Sequence, residues 1–187
     1  MLYLQQTTRR VVRRKLNFNY METITFKGQA VHTSGTMPAV GTLAPDFTAV
    51  TGNLADLTLA RQKGKRVVLN IFPSLDTEVC AMSVRRFNQE AAGMDDTVVL
   101  CVSMDLPFAQ SRFCVAEGIT DVIPVSVFRS KDFNVGYGLR MEDGPLAGLL
   151  ARAVVVIDRE GYIVYRELVK EITHEPDYDA AMRVLKE

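Results

Sequence analysis

Cys80 follows Thr77 by three residues and Pro73 by seven, at the point where a β-branched run ending at Phe72 gives way to a helical pattern. A thiolate is the reactive form of cysteine. At its ordinary pKa of about 8.5 a free thiol is only a few per cent ionised at neutral pH. The first turn of a helix shifts that balance, because its unpaired N–H groups and the positive end of its dipole favour an anion. With Thr77 as N-cap, Cys80 takes the third helical position. The Thr77 hydroxyl is then free either to cap the helix or to hydrogen-bond the sulfur and an incoming oxygen. Pro73 has no N–H to compete at its own position and shields the loop. Helical spacing aligns Cys80, Val84, Phe87 and Ala91, which places the sulfur at the floor of a pocket. Glu78 suits a helix start but opposes thiolate formation nearby, so it is expected to face solvent.

The elements that position this cysteine are legible from patterning. Val67–Phe72, Val98–Val102, Val122–Phe128 and Ala153–Ile157 are nearly continuous β-branched runs and read as strands covered on both faces. Tyr162–Leu168 follows a charged turn closing at Gly161, which predicts antiparallel pairing with the strand before it and hence a mixed sheet. Helical patterns at Thr77–Met94, Pro107–Glu117 and Asp177–Lys186 alternate with the strands. The second opens with Asp105 and Pro107 and closes at Gly118. Ahead of them, the alternation around Lys27-Gly28 from Thr23 to His32 predicts a short N-terminal β-hairpin with solvated outer faces. Strands interleaved with single helices give an α/β domain, a mixed central sheet flanked by helices, running from about Met21 to Glu187.

The bulk numbers narrow the function classes. The chain has 187 residues, 48% of them hydrophobic, and a formal net charge of zero. Arg9, Arg10, Arg13, Arg14 and Lys15 lie in residues 1–20 with no acid, so the remainder carries 17 of the 22 basic residues against all 22 acidic ones. A mildly acidic body lacks the basic stripe that nucleic-acid binding requires. Residues 1–20 read as a basic extension without the plan of a signal peptide. No apolar run is long enough for a membrane helix. Three cysteines without a secretory leader point to a reducing compartment, the cytoplasm, where a disulfide is more often catalytic than structural. His32 and His174 lie far from the cysteines and read as surface residues. No cofactor or metal site is expected.

The stretch Phe72-Pro73-Ser74-Leu75-Asp76-Thr77-Glu78-Val79-Cys80 resembles the Pro-x-x-x-Thr-x-x-Cys motif of the peroxiredoxins. The segments Ser103–Cys114 (SMDLPFAQSRFC) and Gly144–Asp158 (GPLAGLLARAVVVID) are similar to the bacterial thiol peroxidase branch, an atypical two-cysteine class. The similarity covers the chain from about Met21 onward. It implies a thioredoxin-like fold, usually a homodimer, that reduces hydrogen peroxide and organic hydroperoxides with thioredoxin as electron donor. The peroxidatic cysteine of the family falls on Cys80, its threonine on Thr77, its proline on Pro73, its arginine on Arg152 and its resolving cysteine on Cys114. In that scheme Cys80 attacks the peroxide and becomes a sulfenic acid, and Cys114 converts it to a Cys80–Cys114 disulfide. Arg152 supplies fixed positive charge against the sulfur and the peroxide oxygens. Cys114 lies on a different helix, so closing the disulfide is expected to need local unwinding. Cys101, inside a buried run, reads as core filler, and Arg112 has no assigned role. A Cys-x-x-Cys oxidoreductase is disfavoured, since position 77 is threonine. A redox sensor that uses the same thiols to switch a partner surface is the competing reading, separated from an enzyme by turnover.

Overall fold

The computed structural model describes residues 21–94 and 96–185. The basic extension therefore lies outside the described residues, as does the end of the last expected helix at Lys186. Seven strands form one mixed sheet in the order β4-β3-β7-β6-β5-β8-β9, and β1 with β2 form a separate hairpin. The strands are β1 (Thr23–Phe26), β2 (Gln29–His32), β3 (Thr48–Thr51), β4 (Asp56–Thr58), β5 (Arg66–Ile71), β6 (Thr97–Ser103), β7 (Ile123–Ser126), β8 (Ala153–Ile157) and β9 (Ile163–Leu168). The helices are α1 (Glu78–Ala91), α2 (Pro107–Glu117), α3 (Lys131–Tyr137) and α4 (Tyr178–Arg183). Central β5, β6 and β7 run parallel, joined by crossovers through α1 and α2, whereas β8 and β9 pair antiparallel as expected.

The runs Val67–Phe72, Val98–Val102 and Ala153–Ile157 have the two-faced burial they predicted, whereas Val122–Phe128 leaves Ile123 and Phe128 exposed. Val67, Leu69 and Ile71 of β5 enter one core with Leu100, Val102, Ala153 and Val155. Their alternates Val68, Phe72, Val99, Cys101, Val154 and Val156 enter a second core on the opposite face, against Val84 and Phe87 of α1 and Ala181 and Met182 of α4. Each fully buried Val or Phe of this set contributes roughly 1.5–3 kcal/mol relative to exposure. The first core is closed by α3, through Phe133 and Tyr137, and by the hairpin, through Ile24 and Val31. The hairpin is thus solvated on one side only.

Four elements were not expected: β3, β4, α3 and a 3-10 turn at Leu59–Gln62. β3 and β4 are four and three residues long and partly exposed, so neither makes an apolar run that patterning detects. α3 is a seven-residue helix, too short for periodicity, although its ends are signalled: Ser130 Oγ accepts from Phe133 N–H, and Gly138 closes it at φ 63°. A Cβ on Gly138 would stand 2.8 Å from the backbone of Gly35 and Thr36, so this position requires glycine.

The hairpin turn is fastened to the segment after β9. Glu171 accepts hydrogen bonds from the Gly28 and Lys27 N–H groups and from the Thr25 and Thr173 hydroxyls. These donors, the Gly28 N–H foremost, hold its carboxyl well below the usual carboxylate range. A depressed carboxyl strengthens the folded arrangement above the ordinary carboxylate pKa of about 4.3 and loses that contribution as pH falls below it. The Lys27 and Gly28 amide resonances are accordingly expected to hold their positions from pH 7 to about pH 4.3 and to shift only in more acid solution. In Glu171→Gln they should sit elsewhere already at pH 7 and lose that acid titration. Amide NMR across the acid range measures both.

Candidate active site

Thr77 is the N-cap of α1, and of the two roles open to its hydroxyl it takes the sulfur: Oγ1 lies 2.7 Å from Cys80 Sγ and makes no capping bond. The same hydroxyl lies 3.2 Å from the Ser74 carbonyl, which also accepts the Thr77 N–H. Cys80 is fully buried (0% exposed), and the stripe Cys80, Val84, Phe87 and Ala91 is buried along its length. One turn below the sulfur, Ser83 Oγ donates to Asn70 Oδ1 of β5 at 2.8 Å, fixing α1 against the sheet. At α1's other flank the Tyr178 ring meets Phe87 edge-on, 5.4 Å between centroids. Glu78 is exposed, as its charge requires.

Arg152 enters from just before β8, seventy-two residues along the chain from Cys80. It is 2% exposed. Its Nε donates to the Ile172 carbonyl at 3.0 Å, which aims the guanidinium so that Nη2 lies 3.4 Å from Cys80 Sγ. Nη1 is buried with no partner. A buried guanidinium N–H without an acceptor is costly unless something supplies one. Here the donor belongs to the lining of a pocket of about 190 Å³ formed by Phe26, Pro73, Thr77, Glu78, Val79, Leu146, Leu149, Arg152, Ile172 and Thr173. Thr77 and Arg152 thus meet on one sulfur, and Pro73 lines the same pocket as both. The walls are mainly apolar, and the polar groups converge at the end where Thr77 and Arg152 meet Cys80.

Such a set is able to stabilise negative charge that moves from sulfur to oxygen. The hydroxyl and guanidinium donors bind an anion more strongly than a neutral thiol. Nη1 keeps free donors for a second electronegative atom.

Cys114 sits apart from this pocket. It is half-buried on α2, and burial pushes its thiol up from the ordinary value. It lines a different, open groove with Thr51, Gly52, Arg61, Val115 and Ile123. Cys80, fully buried, is not part of that groove's lining. Cys101 is wholly buried on β6, and desolvation pushes its thiol up to about 12 although the Asn70 amide donates to it. It stays a neutral core side chain at any working pH. Arg112 is exposed on α2, and His32 pairs with Asp143 on the surface at 2.6 Å.

Asp105, quoted above only as a helix opener, proves to do something else. Leu106 is the N-cap of α2. The Asp105 carboxylate instead accepts from Ser74 Oγ (2.7 Å), Leu75 N–H (2.8 Å) and Ser103 Oγ (2.8 Å), bracing the loop that leads into α1. The Asx side chain ahead of Leu-Pro was a visible signal, but its donors Ser74 and Leu75 lie about thirty residues upstream and spacing does not reveal them.

Comparison with known proteins agrees with this geometry. The redoxin family matches residues 39–182. Thiol peroxidases of Mycobacterium bovis and Mycobacterium tuberculosis are each 54% identical over 165 residues, which is 88% of this chain and 99% of theirs. The crystal structure of a peroxiredoxin-like protein from Aquifex aeolicus is 42% identical, superposes with a TM-score of 0.84, and the match covers 89% of this chain and 98% of that one. A thiol peroxidase from Chromobacterium violaceum, at 19% identity and TM-score 0.80 over 88% of this chain and 95% of its own, shares the fold. No helix among the described residues is long and apolar enough to cross a membrane. With a thioredoxin-like mixed sheet, a donor-ringed cysteine and relatives alike over nearly their whole length, the chain belongs to the thiol peroxidases of the redoxin family and is a thiol-dependent peroxidase.

Proposed function

We propose that Cys80 is the thiol that reacts with peroxide, and the observation that carries this is the pair of donors, Thr77 Oγ1 and Arg152 Nη2, aimed at its sulfur. The Cys80 thiolate attacks the terminal oxygen of ROOH. The S–O bond forms as the O–O bond breaks, and the departing RO⁻ takes a proton to leave as ROH, with Cys80 as a sulfenic acid. Arg152 Nη1 donates to the peroxide oxygens, where charge is spread in the transition state. Pro73 keeps the loop side of the pocket free of a competing N–H. The apolar walls, from Phe26, Leu146, Leu149 and Ile172, suit organic hydroperoxides as well as hydrogen peroxide.

Cys114 then attacks the sulfenic sulfur, forming the Cys80–Cys114 disulfide and releasing water. A dithiol reductant returns both thiols by exchange, and thioredoxin is the donor this reading assigns. Residues 21–187 form the peroxidase unit, working in the cytoplasm as a homodimer. The exposed Leu106, Phe108 and Phe128 support such a pairing face.

The test is peroxide consumption by the wild-type protein with thioredoxin, thioredoxin reductase and NADPH. Sustained NADPH oxidation, together with a Cys80–Cys114 disulfide in peptide mass spectra after one equivalent of peroxide, is the expected result. A protein that oxidises once and stalls beside a working reductase is a sensor or uses another donor.

A further inference from the structure

We infer that Asp105 is a clasp joining the two cysteine-bearing segments, a positioning residue that favours the peroxide reaction and restrains disulfide closure; this rests on the two-cysteine reading above. The carboxylate stands on the short link between β6 and α2, the helix of Cys114, yet two of its donors, Ser74 Oγ and Leu75 N–H, belong to the loop before α1, the helix of Cys80. On the Cys80 side the chain of contacts continues from Ser74, whose carbonyl accepts from the Thr77 N–H, to the Thr77 hydroxyl and the sulfur to which it donates. On the Cys114 side Asp105 accepts from Ser103 Oγ, and Ser103 Oγ accepts from Nε2 of Gln110, a buried residue one helical turn before Cys114. The Asp105 carbonyl is in turn held by the Ser126 hydroxyl at the end of β7.

Disulfide geometry brings two Cα atoms within about 7 Å of each other with the Cβ atoms facing. Cys80 is fully buried on α1, and Cys114 on α2 lines a groove that Cys80 does not reach, so closure displaces the α1 start, the Cys114 segment, or both. Either departure pulls on the same carboxylate, and hydrogen bonds to an ionised acceptor are the stronger class. The clasp therefore acts on the two chemical steps with opposite sign. It holds Thr77 on the sulfur for Cys80–S⁻ + ROOH + H⁺ → Cys80–SOH + ROH. It resists the motion needed for Cys80–SOH + HS–Cys114 → disulfide + H₂O.

The experiment measures the two steps separately by rapid-quench alkylation and intact mass, for wild type, Asp105→Asn and Ser74→Ala, each checked for folding by circular dichroism. In Asp105→Asn an NH₂ replaces one acceptor oxygen before the Leu75 and Ser103 donors, so the peroxide step is expected to slow about tenfold and disulfide closure to quicken about tenfold, the worth of a hydrogen bond to a charged group. Ser74→Ala should move both rates the same way by less, and it carries the test alone where Asp105→Asn does not fold. Slowing of both steps together, or closure at the wild-type rate, overturns the clasp. A wild type that forms no Cys80–Cys114 disulfide overturns the two-cysteine reading itself, and is recognised before any variant is compared.

Discussion

Cys80→Ser is expected to abolish peroxide consumption with every reductant, while Cys114→Ser still reduces one equivalent and then stops. A serine hydroxyl is not ionised near neutral pH, so neither Thr77 nor Arg152 has an anion to hold, and the O–O bond meets no nucleophile. The loss should reach the uncatalysed background. In Cys114→Ser the Thr77 and Arg152 contacts of Cys80 are untouched, because neither residue lines the groove of Cys114. Its first turnover is therefore expected at the wild-type rate, ending in a sulfenic acid that a sulfenic-specific reagent traps. Single-turnover and steady-state assays run side by side make the distinction. Turnover sustained without Cys80 would overturn the assignment, and a Cys114→Ser protein that cycles normally with thioredoxin would move resolution to another thiol.

The second large effect belongs to Arg152. Arg152→Lys keeps the charge but loses the planar fork that binds the Ile172 carbonyl through Nε while Nη2 meets Cys80 and Nη1 keeps free donors. One ammonium cannot reach all three positions. Removing a single preorganised donor of this kind costs about 10²–10³ in rate, so the second-order rate of the first peroxide reaction is expected to fall about a hundredfold, and further in Arg152→Met. Competition against a second peroxidase for limiting peroxide gives that rate directly. A lysine variant within threefold of wild type would mean that charge alone suffices and that the fork has no part in the transition state.

Local chemistry was the most legible part of the sequence. Thr77 and Pro73 stand within a loop's length of Cys80, and the strand-to-helix switch at Phe72 fixed where their side chains could go. The central strands were equally plain, since residues buried on both faces leave continuous β-branched runs. What was not legible involves distance along the chain. Arg152 was placed by family resemblance, and nothing in its own neighbourhood distinguishes it from a surface arginine. The Ile172 carbonyl that aims it is a backbone group and carries no residue signal at all. The pocket walls come from Phe26 on the hairpin, Leu146 and Leu149 before β8, and Ile172 after β9, three segments that only the finished sheet brings together. Asp105 was misleading in a specific way: Asp two residues ahead of a helical proline looks like a capping signal, and here the tertiary acceptor role took precedence.

The Nε bond from Arg152 to the Ile172 carbonyl also orders events during biosynthesis. A ribosome delivers Cys80 well before it delivers residue 172, and the hairpin turn that Glu171 fastens waits for the same late segment. Until that segment docks, the nascent chain carries the thiol without an aimed guanidinium. The aimed guanidinium thus meets the sulfur only once the sheet is complete.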